Sequence, residues 1–269
     1  MLDNILIVVK GAGDLATGVI HRLHRAGLKV VATELPQPLV IRRAVAFASA
    51  MYRESWEVEG VIARRVTDES GLNRALNAGE VPLLADPQAK IVQHLQPHAV
   101  VDAIMAKRNT GTNLADAPVV VALGPGFTAG QDCHAVIETN RGHNLGRVIL
   151  CGGAEADTGT PGAVGGESSR RLLRAPADGE FAGRHQIGDL VSAGETVAEV
   201  AGRPVVAQID GVLRGILHDG LIVRAGYKVG DIDPRAVIEH CFSISDKARA
   251  IGGGVLEAIL YLLRNHPCG

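Results

Sequence analysis

A chain of 269 residues with 46% apolar content can bury the core of one large domain or two modest ones. A formal net charge of −2 without a basic run, and 3% aromatic residues, argue against the basic footprint and the stacking platforms of nucleic-acid binders. Four cysteines without a CxxC pair fit a reducing cytoplasm better than a disulfide framework or a structural zinc site.

The first hundred residues alternate strand and helix signals. Residues 5–9 read as a strand, 15–26 as a helix and 29–33 as a second strand. Residues 39–51 are predicted helical, 61–66 extended, 71–77 a short helix, 81–85 a strand, 89–95 a helix and 99–104 a strand. This alternation predicts a Rossmann-like parallel-sheet domain over residues 1–110. No basic leader precedes the first strand and no apolar run reaches spanning length, so a soluble cytoplasmic protein without a membrane partner is expected.

Residues 111–170 form a different region, rich in Gly, Thr, Asn and Pro, with strands predicted at 119–123, 134–138 and 147–151 between long loops. An internal repeat follows. Val191-Ser-Ala-Gly-Glu-Thr-Val-Ala-Glu-Val200 matches Val223-Arg-Ala-Gly-Tyr-Lys-Val-Gly-Asp-Ile232. Neither copy covers its own apolar face, so residues 171–234 are predicted to pack as one small β module. The pattern resembles the barrel-sandwich hybrid of biotinyl and lipoyl carriers, which display a modified lysine between their half-repeats. Residues 201–220 contain no lysine, and Arg203 stands on the hairpin. A rigid wall or docking surface is therefore expected in place of a swinging arm. Residues 235–269 are predicted as a C-terminal helical segment capped at Ser245 or Asp246. It is broken or closely packed at Gly252–Gly254, and apolar enough to pack on the body or across a homo-oligomer seam.

Several stretches carry candidate chemistry. Gly11-Ala-Gly13-Asp14-Leu-Ala16 fits G-x-G-x-x-A: Gly11 allows the turn, Gly13 and Thr17 approach a phosphate, and Glu34 stands where a ribose hydroxyl would donate. The alternative is a turn kept for packing, with Asp14 repelling phosphate. Gly124, Gly126 and Thr128 form either an anion cradle or a tight turn. Arg141 offers a fork for phosphate or carboxylate and His143 a proton, unless the loop is merely salt-bridged. Thr158, Thr160 and Arg171 belong to a hydroxyl-rich segment that closes over a phosphate or simply lies on the surface. Asp102, Lys107, Arg108 and Asn109 follow the strand at 99–104, where substrate contacts are expected, whereas Asp246 and Lys247 read as a cap and a salt bridge. Cys133 adjoins His134, but strand neighbours face opposite ways, and Cys151 and Cys241 read as inert buried thiols. His21 and His24 lie among arginines and read as solvated, so no metal site is predicted and no catalytic residue is assigned.

The motifs "VDAIMAKRN", "LGPGFTAG", "VIETNRGHNLGRVI", "DTGTPG", "GVLRGIL", "KVGDIDPR" and "SDKARAIGGGVLEAIL" together resemble the YqeB family, over nearly the whole chain. The resemblance implies an accessory factor of the selenium-dependent molybdenum hydroxylase system, partnered with that hydroxylase or its cofactor machinery. The N-terminal half is also loosely similar to the Rossmann domain of molybdenum-cofactor insertion chaperones. The resulting expectation is a maturation factor that binds NAD(P) or a molybdopterin-type cofactor through its phosphate. An NAD(P)-dependent oxidoreductase, a sulfur or selenium transferase, and a docking scaffold without small-molecule chemistry are the alternatives.

Overall fold

The computed structural model describes residues 4–157, 159 and 162–265. The chain forms two compact units, the first from residues 1–38, 47–157 and 244–269, the second from 39–46 and 158–243.

The first unit is built on β1 (Leu6–Lys10), α1 (Asp14–Arg25), β2 (Lys29–Glu34), β3 (Ser55–Val58), β4 (Val61–Val66), α2 (Glu69–Asn77) and β5 (Val81–Ala85). It continues through α3 (Ile91–Leu95), β6 (Ala99–Asp102), β7 (Val119–Leu123), β8 (Ala135–Ile137), β9 (Val148–Ile149) and, from the far end of the chain, α4 (Asp246–Asn265). The nine strands make one sheet in the order β3-β4-β5-β2-β1-β6-β7-β8-β9. Only the edge pairs β3–β4 and β8–β9 are antiparallel. The central strands are runs of Val, Ile and Ala because both faces of a parallel sheet are covered. On one face α2 and α3 set Leu72, Ala75 and Val92 against Val8, Val31, Val66 and Val100. Asp68 starts α2 by accepting the Gly71 N–H at 2.6 Å. Further along, Phe127, Ala129 and Cys133 cover Val120, Ala122 and Val136. On the opposite face α1 lies beside α4, and α4 packs on β7, β8 and β9.

This arrangement corrects the expected fold class. A Rossmann-like domain ending near residue 110, followed by a separate hybrid module and tail helix, is not what the chain forms. The sheet does not stop at β6, because β7, β8 and β9 extend it. Strand β5 inserts between β2 and β4, and both edges are antiparallel. No α-helix occurs between β6 and β9, so that half of the sheet is covered by a loop and by α4, and is not doubly wound. The helix predicted at 39–51 is two short 3-10 turns, Arg43–Val45 and Phe47–Met51, divided between the units.

The second unit is two open four-stranded antiparallel sheets, not the biotinyl- or lipoyl-like module expected over 171–234. One joins β10 (Leu172–Arg174), β12 (Leu190–Val191), β15 (Gly211–Ile216) and β17 (Lys228–Asp233) in the order β10-β17-β15-β12. The other joins β11 (Gly179–Gly183), β13 (Thr196–Val200), β14 (Arg203–Val206) and β16 (Ile222–Val223) in the order β14-β13-β11-β16. Residues 39–46 also belong here, the Ile41 carbonyl accepting the Ile216 N–H at 2.9 Å. Each repeat divides between the sheets: Val191 lies in the first and 196–200 in the second, whereas Val223 lies in the second and 228–232 in the first. The turn between β13 and β14 is Ala201-Gly202, both with positive φ. Among the described residues no helix is long and apolar enough to cross a membrane.

Candidate functional site

Strands β1, β6, β7 and β8 run parallel, so their C-terminal ends share one edge of the sheet. There Lys10–Gly13, Asp102–Arg108, Leu123–Gly126 and Glu138–Arg141 emerge, and open α/β sheets bind ligands at such edges.

The glycine turns reach this edge for a reason different from the predicted one. Gly11 has φ +95°, and a Cβ there would stand 3.0 Å from the Ala103 carbonyl oxygen and 3.3 Å from Ile104 Cα. Gly126 has φ +104°, and its Cβ would stand 2.6 Å from Arg108 N. Both glycines therefore admit the backbone of the chain's own loop, residues 103–108. Gly124 makes room for the Thr139 hydroxyl. Gly13 has ordinary extended dihedrals and leaves the N-terminus of α1 without a side-chain cap. Glu34 turns inward, accepting the Ala12 N–H at 2.8 Å and the Leu35 N–H at 2.7 Å. Burial pushes its carboxyl up, and those two N–H bonds oppose the shift. Thr17 is buried, donating to the Ala12 carbonyl at 3.2 Å and accepting the Phe47 N–H at 2.9 Å. Both side chains thus brace the turn from within.

A buried polar chain lies behind this edge. Lys10 Nζ donates to Thr112 Oγ1 at 2.9 Å and to Asp116 Oδ2 at 2.8 Å. Thr112 Oγ1 donates to Asp102 Oδ2 at 2.6 Å, and Asp102 Oδ1 accepts the Ile104 N–H at 3.1 Å. Each member is satisfied, as buried polar groups must be.

The sequence reads Asp246 and Lys247 as a cap and a salt bridge, and the structure brings Lys247 to the edge. A Cβ on Gly18 would meet the Ala248 carbonyl oxygen at 2.6 Å, and one on Gly252 would meet the Gly18 carbonyl oxygen at 2.6 Å and Arg22 Cβ at 3.2 Å. The rising register means that α1 and α4 run side by side in the same direction, so both helices begin at this edge. Ser245 Oγ accepts the Ala248 N–H at 3.2 Å, as the predicted cap. Lys247 follows, half-buried, and burial lowers its pKa, with Arg141 adding to the effect and Asp14, Glu138 and Asp246 opposing it. Those acids are already engaged. Glu138, 2% exposed, accepts the Asn140 and Glu155 N–H groups at 2.7 Å each. Asp246 holds Arg141 at 2.6 and 3.1 Å, and Asp14 also has a partner. Among the described residues no carboxylate forms an ion pair with Lys247. The signal missing from the sequence was that α4 would lie along α1.

The remaining candidates do not converge. Arg141 is at the edge but paired to Asp246, and His143 is exposed on its loop. The Thr128 N–H donates to Asp132 Oδ2 at 2.7 Å and its carbonyl accepts the Asp132 N–H at 2.9 Å, the tight-turn alternative. Arg171 belongs to the second unit, where it pairs with buried Asp231 and donates to the Gly162 carbonyl at 3.1 Å. Thr158 and Thr160 lie outside the described residues. Cys133 is fully buried and its thiol is pushed up to about 12, chiefly by burial; Cys241 is buried and raised as well. Cys151, expected to be buried, is exposed.

No protein-family profile matches the chain. Among solved structures it is similar to an aspartoacylase family protein of Mesorhizobium loti, at 13% identity and TM-score 0.28, covering 84% of each chain. It is also similar to a succinylglutamate desuccinylase/aspartoacylase of Rhodobacter sphaeroides, at 17% identity and TM-score 0.24, covering 84% of this chain and 86% of that one. Likeness this slight carries no argument about fold or activity. The curated protein YqeB of Escherichia coli K12, described as uncharacterized, is 50% identical over 258 residues, 96% of this chain. That alignment takes in 48% of YqeB, so the chain spans about half the length of its curated relative. The motifs that resemble the YqeB family are thus accompanied by an extended similarity to a protein of that name over the aligned span.

Proposed function

We propose that the chain binds an anionic small molecule, a nucleotide or a phosphorylated pterin, where β1, β6, β7 and β8 end. In this reading it serves as an accessory factor in the maturation of a molybdenum hydroxylase. The observation that carries the binding site is Lys247: a half-buried ammonium whose neighbouring acids are engaged elsewhere. A ligand phosphate gives Lys247 a direct ion pair beyond the more distant charges of Asp14, Glu138 and Asp246, and the co-directed N-termini of α1 and α4 add their N–H groups and partial positive charge. Arg141 stands ready to exchange the exposed Asp246 for a second phosphate oxygen. The accessory role rests on the family resemblance and the half-length match to YqeB.

Calorimetric titration of the full chain with NAD+, NADP+ and a molybdopterin-type pterin tests the site. Binding of one of them is expected, and Lys247→Met should weaken it at least tenfold. Absence of binding to all three refutes the reading.

A further inference from the structure

Residues 103–108 are held more firmly than an exposed connection requires. Met105 and Lys107, neither of them glycine, have φ of 61° and 60°. Such conformations persist only where the surroundings over-determine them, and they gather at sites of function. Here the surroundings are identifiable. The backbone is pressed against Gly11 at one end and Gly126 at the other. Asp102 anchors the start through the Ile104 N–H, and Thr112, itself held by Lys10, donates to Asp102 from behind. Asn109 anchors the end, its Nδ2 donating to the Thr112 carbonyl at 2.7 Å and its Oδ1 accepting the Gly111 and Thr112 N–H groups at 2.8 Å. Lys107 is fastened to Asp157 at 2.6 Å.

What this rigid lip presents is a large apolar side chain in water, Ile104 at 40% exposure, and the exposed guanidinium of Arg108. Among the described residues no ion pair involves Arg108. Both glycine turns that looked like ligand cradles are filled by the lip itself, so a ligand arriving at this edge meets the lip before it meets the glycines.

We infer that Ile104 and Arg108 are the specificity-determining residues of the edge, selecting a ligand that joins a flat apolar ring to an anionic group. This inference rests on the binding site proposed above. Ile104 packs on the ring, and Arg108 binds the anion through its planar fork. Four residues apart, the two are separated by at most about 14 Å of chain, within the length of one phosphorylated nucleoside or pterin.

The test uses the full chain, calorimetry, and NADP+ and a phosphorylated pterin as probes. For the probe that the wild type binds, Arg108→Gln and Ile104→Ser should each lower affinity at least tenfold while circular dichroism stays native, since both side chains are exposed. The double variant Met105→Gly/Lys107→Gly relieves the backbone strain, so its thermal midpoint should hold or rise while affinity falls. A merely structural turn would gain the stability and keep the affinity. Unchanged affinity in Arg108→Gln or in Ile104→Ser overturns the inference and leaves the proposed site standing. A wild type that binds neither probe overturns the inference, and one that fails to bind NAD+ as well overturns the proposed site with it.

Discussion

Gly252 and Gly253 are neighbours on α4 with opposite surroundings, and they test the helix pairing that creates the candidate site. A Cβ on Gly252 would stand 2.6 Å from the Gly18 carbonyl oxygen, whereas one on Gly253 meets nothing within 4 Å. In a helix interior alanine is favoured over glycine by about 1 kcal/mol, and Gly253→Ala should gain that amount. Gly252→Ala gains the same propensity but overpacks the contact, which typically costs about 1–3 kcal/mol. The obstacle is a backbone carbonyl, which cannot rotate aside as a side chain can, so the upper end applies and the net loss is about 2 kcal/mol. For a unit of this size each kcal/mol is worth about 2–4 °C, so Gly253→Ala should rise by about 3 °C and Gly252→Ala fall by about 6 °C. The single tryptophan, Trp56, lies in the same unit as α4, and its fluorescence during heating reports that unit. If Gly252→Ala melts at or above Gly253→Ala, the two helices do not meet as described.

Lys247 gives a pH-dependent expectation. Its lowered pKa means the native chain binds that proton less tightly than the unfolded chain, so the charge costs stability at neutral pH and the cost is relieved as pH rises toward about 10.4. Lys247→Met should therefore melt above wild type at pH 7 and lose that advantage in alkali; an advantage independent of pH contradicts the assignment. Iodoacetamide at pH 8 should label exposed Cys151 in the native chain and spare Cys133 and Cys241 until unfolding, as read by peptide mass. Equal labelling of Cys133 and Cys151 would refute the burial argument. Thr112→Val removes the hydroxyl between Lys10 and Asp102 and should cost about 2–3 kcal/mol, because each of two buried charged groups loses a hydrogen bond while Lys10 keeps Asp116 and Asp102 keeps the Ile104 N–H. A change in the Trp56 transition smaller than about 0.5 kcal/mol would show that the chain is not load-carrying.

Local pattern located most strands and helices of the first unit to within a residue or two. The strand at 5–9, helix at 15–26 and strand at 29–33 appear as Leu6–Lys10, Asp14–Arg25 and Lys29–Glu34. Their periodicity reflects burial, which is local information. Partnership is not local. One face of β7–β9 is covered by the nearby loop with Phe127, Ala129 and Cys133, but the other is covered by α4, far along the chain, and no pattern within 111–170 announces that helix. The glycine spacing signals a turn at Gly11, a phosphate approach at Gly13 and a cradle or turn at Gly126; the close approach is instead at Gly11 and Gly126, and it is made by the loop at 103–108. Glu34 stands at the interval expected of a ribose acceptor, yet its rotamer returns it to the Ala12 N–H. Gly252–Gly254 marked a break or a close contact; the helix is continuous, and Gly252 and Gly254 face Gly18 and Gly146.

The split of the first unit along the chain also sets a timetable. α1 is complete at Arg25, but the helix that lies against it begins at Asp246. At about 5–20 residues per second on the ribosome, roughly 10–45 s separate the two events. During that interval the faces of α1, β7, β8 and β9 that α4 will cover are open to water and to other chains, while the intervening 158–243 has already been made. Synthesis is thus a vulnerable period for this unit, and the emergence of α4 ends it.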